Sequence, residues 1–408
     1  MSLYKFSSFN RTIEGEEGVI LHNTITRRSV GYGSDVEKVK DQILQQQVRT
    51  LESDVDKLLL QIIAAELLDR GAIVPVEHVN REEEYLNSLS APILPEYGFF
   101  GCKVAKVQSI KDESNLIACF GVPCDVGASK PGSRYGPRLL RGRSKDMNFR
   151  GGRPILLDLF NKNTVSFDKL VDLGDVTSTR GNVQQWIANV RALLAKIPTA
   201  CIPCMIGGDH SLTYAAVTHL WDTGKRFSLV QLDHHLDIQL WGKFKDNKPE
   251  YLDDLSHGNF VSWVKYQIPD IDILNIGASR YQSFSDISSD QVNQYINTVC
   301  KVISDFEVQN CEITSIIEKL PQDQDIYLSI DIDAINSIFI RSNTGFPGHT
   351  GICLDKFVSI VHFLTTKNNV IGLDLMEHGV SNNHENHYSS STILANILIN
   401  IICNINFH

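Results

Sequence analysis

No stretch of this chain is both apolar enough and long enough to cross a bilayer. The longest apolar run, at 393–403, is interrupted by asparagine and falls short of the ~20 residues a spanning helix needs. The amino-terminal MSLYKFSSFNRT lacks an apolar core of the secretory type, so no signal peptide is expected. Positive charge is not in excess either. Lys and Arg number 38 against 48 Asp and Glu, a net charge of −10, which gives no footprint of a nucleic-acid binder. A disulfide framework is missing. The nine cysteines, at 102, 119, 124, 201, 204, 300, 311, 353 and 403, are odd in number and scattered, which favours a reducing, cytoplasmic setting. Cys201 and Cys204 form a lone CxxC without a second pair, inside an apolar run, and read as core residues. No internal repeat or low-complexity tract is evident. What remains is a globular chain of 408 residues, long enough for one large α/β domain with an extension.

Residues 1–34 are polar and irregular. Val48, Leu51, Val55, Leu58, Ile62 and Ala65 then recur at steps of three and four, the spacing of an apolar helix stripe, and Gly71 closes it. This predicts a helix over 35–70 within an amino-terminal extension of 1–112. The helix packs on its own domain or pairs with another subunit. Residues 113–408 form the main domain. From about 115, short apolar runs at 116–122, 200–206, 227–232, 273–276, 326–330 and 370–376 are separated by helical stretches at 182–196, 211–221 and 354–364. Apolar strands without alternation, separated by helices, predict a parallel sheet covered on both faces.

In such sheets ligands bind beyond the carboxyl ends of the strands. Four runs end in ligand-type residues: Asp209 and His210 after 206, Asp233-His234-His235-Leu236-Asp237 after 232, Asp331 and Asp333 after 330, and Glu377 after 376. Strand-end aspartates usually cap or bond loops. Four strand ends of this kind on one edge point instead to a shared site. Alternation along an extended segment would put Asp233, His235 and Asp237 on one side and His234 on the other. With Asp331, Asp333 and His210, the set holds four carboxylates and two imidazoles. Two divalent cations would balance four carboxylates, and oxygen-rich ligation with some imidazole suits Mn²⁺. Two metals roughly 3.5–4 Å apart can share a water and lower its pKa, which is the chemistry of a hydrolase.

These stretches resemble the ureohydrolase superfamily of arginases, agmatinases and their relatives. GGDHS at 207–211, DHHLD at 233–237 for the family's D-A-H-x-D, and SIDID at 329–333 for S-x-D-x-D carry the likeness. So do GVPCDVGASKPGSRYGPRLLR at 121–141, NIGASR at 275–280 and the glutamate of MEHG at 376–379. The resemblance spans about 115–403. It implies a three-layer α/β/α sandwich with a central, mostly parallel sheet. It also implies two Mn²⁺ per subunit, held by His210, Asp233, Asp237 and Asp331, joined by His235 and Asp333. A bridging hydroxide oriented by Asp237 would attack a guanidinium carbon, releasing urea and an amine. Glu377 would pair with the guanidinium, and His257 would shuttle a proton to the leaving amine. Substrate contacts would come from Gln239, His257, Asn259 and Glu377. A homo-oligomer, trimer or hexamer, is implied as well, with no membrane or nucleic-acid partner.

The chain departs from the pattern in places. His234 stands where the family has a small residue, and reads as a core or supporting histidine. After SIDID the family's D-P is replaced by Asn336-Ser337, which bears on pocket shape. The segment 238–256 is long enough for a lid, with Trp241, Phe244 and Tyr251 as possible lining. Gln239 occupies the position where arginases place an asparagine. With the PGSRYGP and SHG forms, this leans toward agmatinase-like substrates. SNNHENHYSSS at 381–391 reads as a solvated loop, with His384 and His387 as possible peripheral contacts. Arginine, guanidinobutyrate, guanidine, a modified peptide arginine or a formimino substrate stay open, as does a catalytically silent relative. A single-zinc amide hydrolase of the deacetylase type would not need all six ligands.

Overall fold

The structure is a computed structural model. It describes residues 92–111, 115–146, 164–178, 182–239, 254–282, 288–340, 350–380 and 384–405, with strand segments at Tyr4–Phe6, Asn10–Gly15, Gly18–Asn23, Arg28–Tyr32, Ile73–Pro75 and Ile155–Leu157. The chain divides at Leu89/Ser90. In the first unit, Asn10–Gly15, Gly18–Asn23 and Arg28–Tyr32 form an antiparallel meander, and Tyr4–Phe6 pairs antiparallel with Ile73–Pro75. The helix expected over 35–70 lies outside the described residues.

Besides a small antiparallel pair, Ile155–Leu157 with Thr164–Ser166, the second unit has a central sheet of nine strands: β1 (Lys103–Val104), β2 (Ile117–Val122), β3 (Leu170–Asp175), β4 (Ile202–Gly207), β5 (Ser228–Leu232), β6 (Ile273–Ala278), β7 (Lys301–Ser304), β8 (Asp325–Asp331) and β9 (Asn369–Met376). Their order in the sheet is β7-β6-β5-β8-β9-β4-β2-β3-β1, and every pairing is parallel. All six strands expected from the apolar runs are present. Three were missed. β1 is two residues long, β7 carries exposed Lys301 and Val302 on the sheet edge, and β3 interleaves Asp172 and Asp175 with its apolar residues.

Successive residues of one strand feed two separate cores. Ala118, Phe120 and Val122 of β2 join one cluster with Val190 and Leu193 of α2 (Val183–Leu194), Val217 of α3 (Thr213–Asp222) and Val261 of α4 (Phe260–Gln267). Ile117 and Cys119 join the other, with Leu140 of α1 (Gly136–Asp146), Phe357 and Ile360 of α5 (Leu354–Lys367), and Leu398 of α6 (His384–Asn404). This is the expected three-layer sandwich, and it explains why β2 and β4 are buried along their whole length. Cys201 and Cys204 are buried, and Cys204 pairs in register with Cys119, as core residues. Residues 381–391 do not read correctly as a loop throughout, because α6 begins at His384. Polar side chains there mask the apolar stripe Leu394, Ile397, Leu398 and Ile401 that drives the helix against the sheet. No helix among the described residues is long and apolar enough to cross a membrane.

Near the carboxyl ends a buried cation ties three elements together. Arg141 of α1 donates through Nε and Nη2 to Asp172 at 2.7 and 3.0 Å and through Nη1 to Asp175 at 2.6 Å, and it stacks over Phe99 at 4.3 Å. Burial opposes the charge, and the two carboxylates overcome it, so the guanidinium stays firmly protonated.

Candidate metal centre and active site

The four strands whose ends were singled out lie side by side at the middle of the sheet, in the order β5-β8-β9-β4. A cavity of about 380 Å³ lined by Trp221, Asp272 and Asp325 lies at the amino ends of these strands, away from the cluster.

After β4 the chain turns on Gly208, whose N–H donates to Val122 at 2.9 Å. A Cβ there would come within 1.7 Å of the Cys124 carbonyl oxygen, so only glycine lets the turn pass so closely. The turn delivers His210, fully buried. His210 Nε2 lies 2.8 Å from Ser329 Oγ, and Ser329 donates to Asp374 Oδ1 at 2.7 Å. With the serine hydrogen committed to Asp374, its oxygen accepts, so the His210 ring hydrogen sits on Nε2. In the neutral ring Nδ1 is then a bare lone pair. Among the described residues it has no hydrogen-bond partner, and it lies 3.1 Å from Asp233 Oδ2, and 3.3 Å from both Asp237 Oδ2 and Asp331 Oδ2. A buried lone pair facing three carboxylate oxygens is repulsive unless a cation sits among them.

A second group adjoins the first. His235 Nδ1 lies 3.0 Å from Asp333 Oδ2 and 3.7 Å from Asp233 Oδ1. Asp233 therefore turns one oxygen toward each histidine. The two triads, His210-Asp233-Asp331 and Asp233-His235-Asp333, each bring three donor atoms within 4.8 Å of one another and share that aspartate. Carboxylate and imidazole donors of this kind suit hard divalent ions, which each triad could hold.

The electrostatics express the same demand for positive charge. Burial, followed by the charge of Asp233, pushes Asp237 up to about 7. Burial and the neighbouring carboxylates raise Asp331 and Asp333 as well. Burial opposes the charged form of Asp233, but hydrogen bonds from His210 and His235 hold it below the ordinary carboxylate range. Burial likewise disfavours the imidazoliums, yet Asp233 and Asp333 push His235 up to about 12, and three carboxylates raise His210 well above its usual value.

The convergence does not come from strand alternation. β5 ends at Leu232, and the chain bends at His234 and His235. Asp237 has φ +52°, a left-handed backbone that costs a non-glycine residue about 1–3 kcal/mol. Glu377, just past β9, has φ +63°. Of the four non-glycine residues with positive φ among the described residues, these two stand in the site, and Phe100 and Asp323 lie elsewhere. His234 is buried, its ring Nδ1 finds no partner among the described residues, and its backbone N–H donates to Asp333 Oδ1 at 3.1 Å, in keeping with a supporting place.

Glu377 is buried at the cluster's flank. Its Oε1 accepts the His210 N–H at 3.0 Å and lies 3.3 Å from His257 Nδ1. Gln239 is exposed, lies beside Gly258, and donates its backbone N–H to the Gly258 carbonyl at 2.9 Å. Asn259 is buried. Its amide donates to Asp254 at 2.7 Å and its carbonyl accepts from Ser256 at 2.9 Å, so it closes the loop that carries His257. Trp241, Phe244, Tyr251 and the side chains of His384 and His387 lie outside the described residues.

Two supporting residues, Asp374 and Gln231, escaped the sequence reading, and Asp209, read with His210 after β4, also supports the site. Asp374 accepts from Thr213, Tyr327 and Ser329 at 2.7–2.8 Å. Gln231 donates to Asp233 and, at 3.4 Å, to Asp237. Buried Asp209 accepts the Gly127 N–H at 3.0 Å. The signal for Asp374 and Gln231 was a polar side chain inside an otherwise apolar strand.

Comparison with known proteins agrees with this geometry. The arginase family model matches residues 115–403. The chain belongs to the arginase family, in its agmatinase-like branch. It is 27% identical over 329 residues to putative agmatinase 3 of Schizosaccharomyces pombe, covering 73% of this chain and 77% of that one. It is 27% identical over 317 residues to the mitochondrial guanidino acid hydrolase of Homo sapiens, covering 74% and 82%. Among solved structures, proclavaminate amidino hydrolase from Streptomyces clavuligerus superposes with a TM-score of 0.60 at 22% identity, covering 78% of this chain and 98% of that one. That similarity speaks to the fold.

Proposed function

We propose that this protein is a binuclear manganese amidinohydrolase that releases urea and an amine from a guanidino compound, with agmatine-like substrates leading. The observation that carries the reading is the pair of donor triads sharing Asp233, flanked by Glu377 and His257. His210, Asp233, Asp237 and Asp331 would hold one or both ions, with His235 and Asp333. Bound there, Mn²⁺ supplies the Lewis acidity that makes a water nucleophilic near neutral pH. Asp237 orients the attacking oxygen by accepting its hydrogen. Glu377, buried and next to the cluster, offers a carboxylate to the N–H edge of a planar guanidinium, a charge-assisted contact that sets the angle of attack. His257 holds a proton against Glu377 and passes it to the departing amine, which would otherwise leave as a poor amide anion. Relatives named agmatinase, guanidino acid hydrolase and guanidinobutyrase support a guanidino substrate over a formimino one. Gln239, beside Gly258, would contact the substrate's tail. A homo-oligomer, trimer or hexamer, in a reducing cytoplasmic compartment completes the proposal.

The test is urea release by manganese-loaded protein across agmatine, arginine, guanidinobutyrate, guanidinopropionate, guanidine and formimidoylglutamate. One guanidino compound should turn over well above the rest. Stoichiometric manganese with no urea from any of them would sink the reading.

A further inference from the structure

One segment grips His257 from two sides. The His257 backbone N–H donates to the Gly127 carbonyl at 3.1 Å, and ring Nε2 lies 3.2 Å from the Ser129 backbone nitrogen and 2.8 Å from Ser129 Oγ. The segment is anchored in turn. Gly127 N–H donates to buried Asp209 at 3.0 Å, Gly132 N–H to Asp125 at 2.7 Å, and Arg134 pairs with Asp125 at 2.6 Å. A backbone N–H can only donate. Nε2 therefore accepts from Ser129, and the single hydrogen of the neutral ring lies on Nδ1, facing Glu377 Oε1 at 3.3 Å. The hydroxyl can play either part. It donates to a bare Nε2, and by rotating it accepts from Nε2–H once the ring is charged. Among the described residues it is the one group shown within hydrogen-bond reach of Nε2 that can do so.

We infer that Ser129 is a positioning residue for His257: its backbone sets which ring nitrogen carries the hydrogen, and its hydroxyl holds the ring through both protonation states. The inference rests on the hydrolase reading for what His257 does, but not for how the ring is held. A proton carrier must keep its orientation while its charge changes, and a group that only donates would repel the charged ring. A hydroxyl at 2.8 Å offsets the repulsion that the Ser129 N–H, 3.2 Å from Nε2, exerts on the charged ring. Ser129 is itself exposed, so replacing its side chain opens no core cavity.

The experiment uses the full chain. In metal-free protein with ¹⁵N-labelled histidine, His257 signals are assigned by their loss in His257→Asn. The neutral ring should show a pyrrole-like Nδ1 and a pyridine-like Nε2. Ser129→Ala keeps the backbone N–H, so the tautomer should persist, while His257 titrates at lower pH because its charged form has lost an acceptor. In manganese-loaded protein the same change should lower kcat about tenfold with KM within about twofold, and Ser129→Thr should restore both kcat and the titration. A neutral ring with hydrogen on Nε2 overturns the inference. So does Ser129→Ala with unchanged kcat and titration, an effect confined to KM, or a threonine that rescues nothing. If wild-type protein releases no urea from any guanidino compound, the hydrolase reading fails, and the tautomer and titration still decide the role of Ser129.

Discussion

Nδ1 of His210 lies 3.1 Å from Oδ2 of Asp233, although two strands of the sheet stand between the ends that carry them. Neither partner could stay buried and bare there. Four buried carboxylates around two imidazoles make a cluster whose folding depends on added positive charge. Chelation should therefore destabilise the protein, and Mn²⁺ should restore it. A ligand at 100 times its Kd adds about 2.7 kcal/mol, several degrees in melting temperature. Calorimetry with and without chelator, then with graded Mn²⁺, measures this, and an unchanged melting temperature would contradict a metal role for the cluster.

Asp233, shared by both triads, should be the most sensitive ligand. If the two triads each hold an ion as proposed, Asp233→Asn should cut bound metal toward none, whereas Asp333→Asn should spare the His210 side. Elemental analysis after gel filtration distinguishes them. His235→Ala and Asp237→Ala should each abolish turnover, and near-normal urea release from either would argue against the assignment.

Asp374 touches no triad residue except through Ser329, yet it orients His210 by accepting the serine hydrogen. Asp374→Asn should weaken metal binding by about 10–100-fold, because an amide can turn a donor toward Ser329 and reverse the bond. A fluorescence-monitored metal titration reports it. Unchanged affinity would reduce Asp374 to a core anchor.

His257 predicts a pH dependence of stability. Burial opposes its charge, but Glu377, with Asp237 and Asp209 further off, pushes it up to about 9 in the metal-free protein. A value raised above the ordinary ~6.5 means that the folded state holds the proton more tightly. This contribution to stability is complete below about pH 6.5 and is lost as pH rises through about 9. In metal-free protein the melting-temperature gap between wild type and His257→Gln should be widest at low pH and shrink toward pH 9–10. A gap that widens with pH would reverse the sign.

Arg141 predicts a purely structural loss. Arg141→Ala strands two carboxylates, Asp172 and Asp175, and should cost about 3–5 kcal/mol in denaturant unfolding. Lysine should not rescue it, since one ammonium cannot make the forked contact to Asp172 while reaching Asp175.

The chain order by itself determined much of this protein. Unbroken apolar runs wrote a parallel sheet buried on both faces, and strand ends rich in Asp and His marked the edge where a ligand belongs. Local chemistry was enough, because a strand buried on two faces and a carboxylate at its end each leave their mark within a few residues. Other features were settled only when the sheet assembled. That β5, β8, β9 and β4 are neighbours, and that Asp233 serves both triads, follows from strand order. The inward turn of Asp237 follows from a left-handed backbone that no periodicity announces. Asp374 and Ser129 acquire their roles across 45 and 128 residues of chain, from Ser329 and His257 respectively. Such pairings arise from packing, which brings distant side chains to one point, and spacing along a sequence does not encode distance in space.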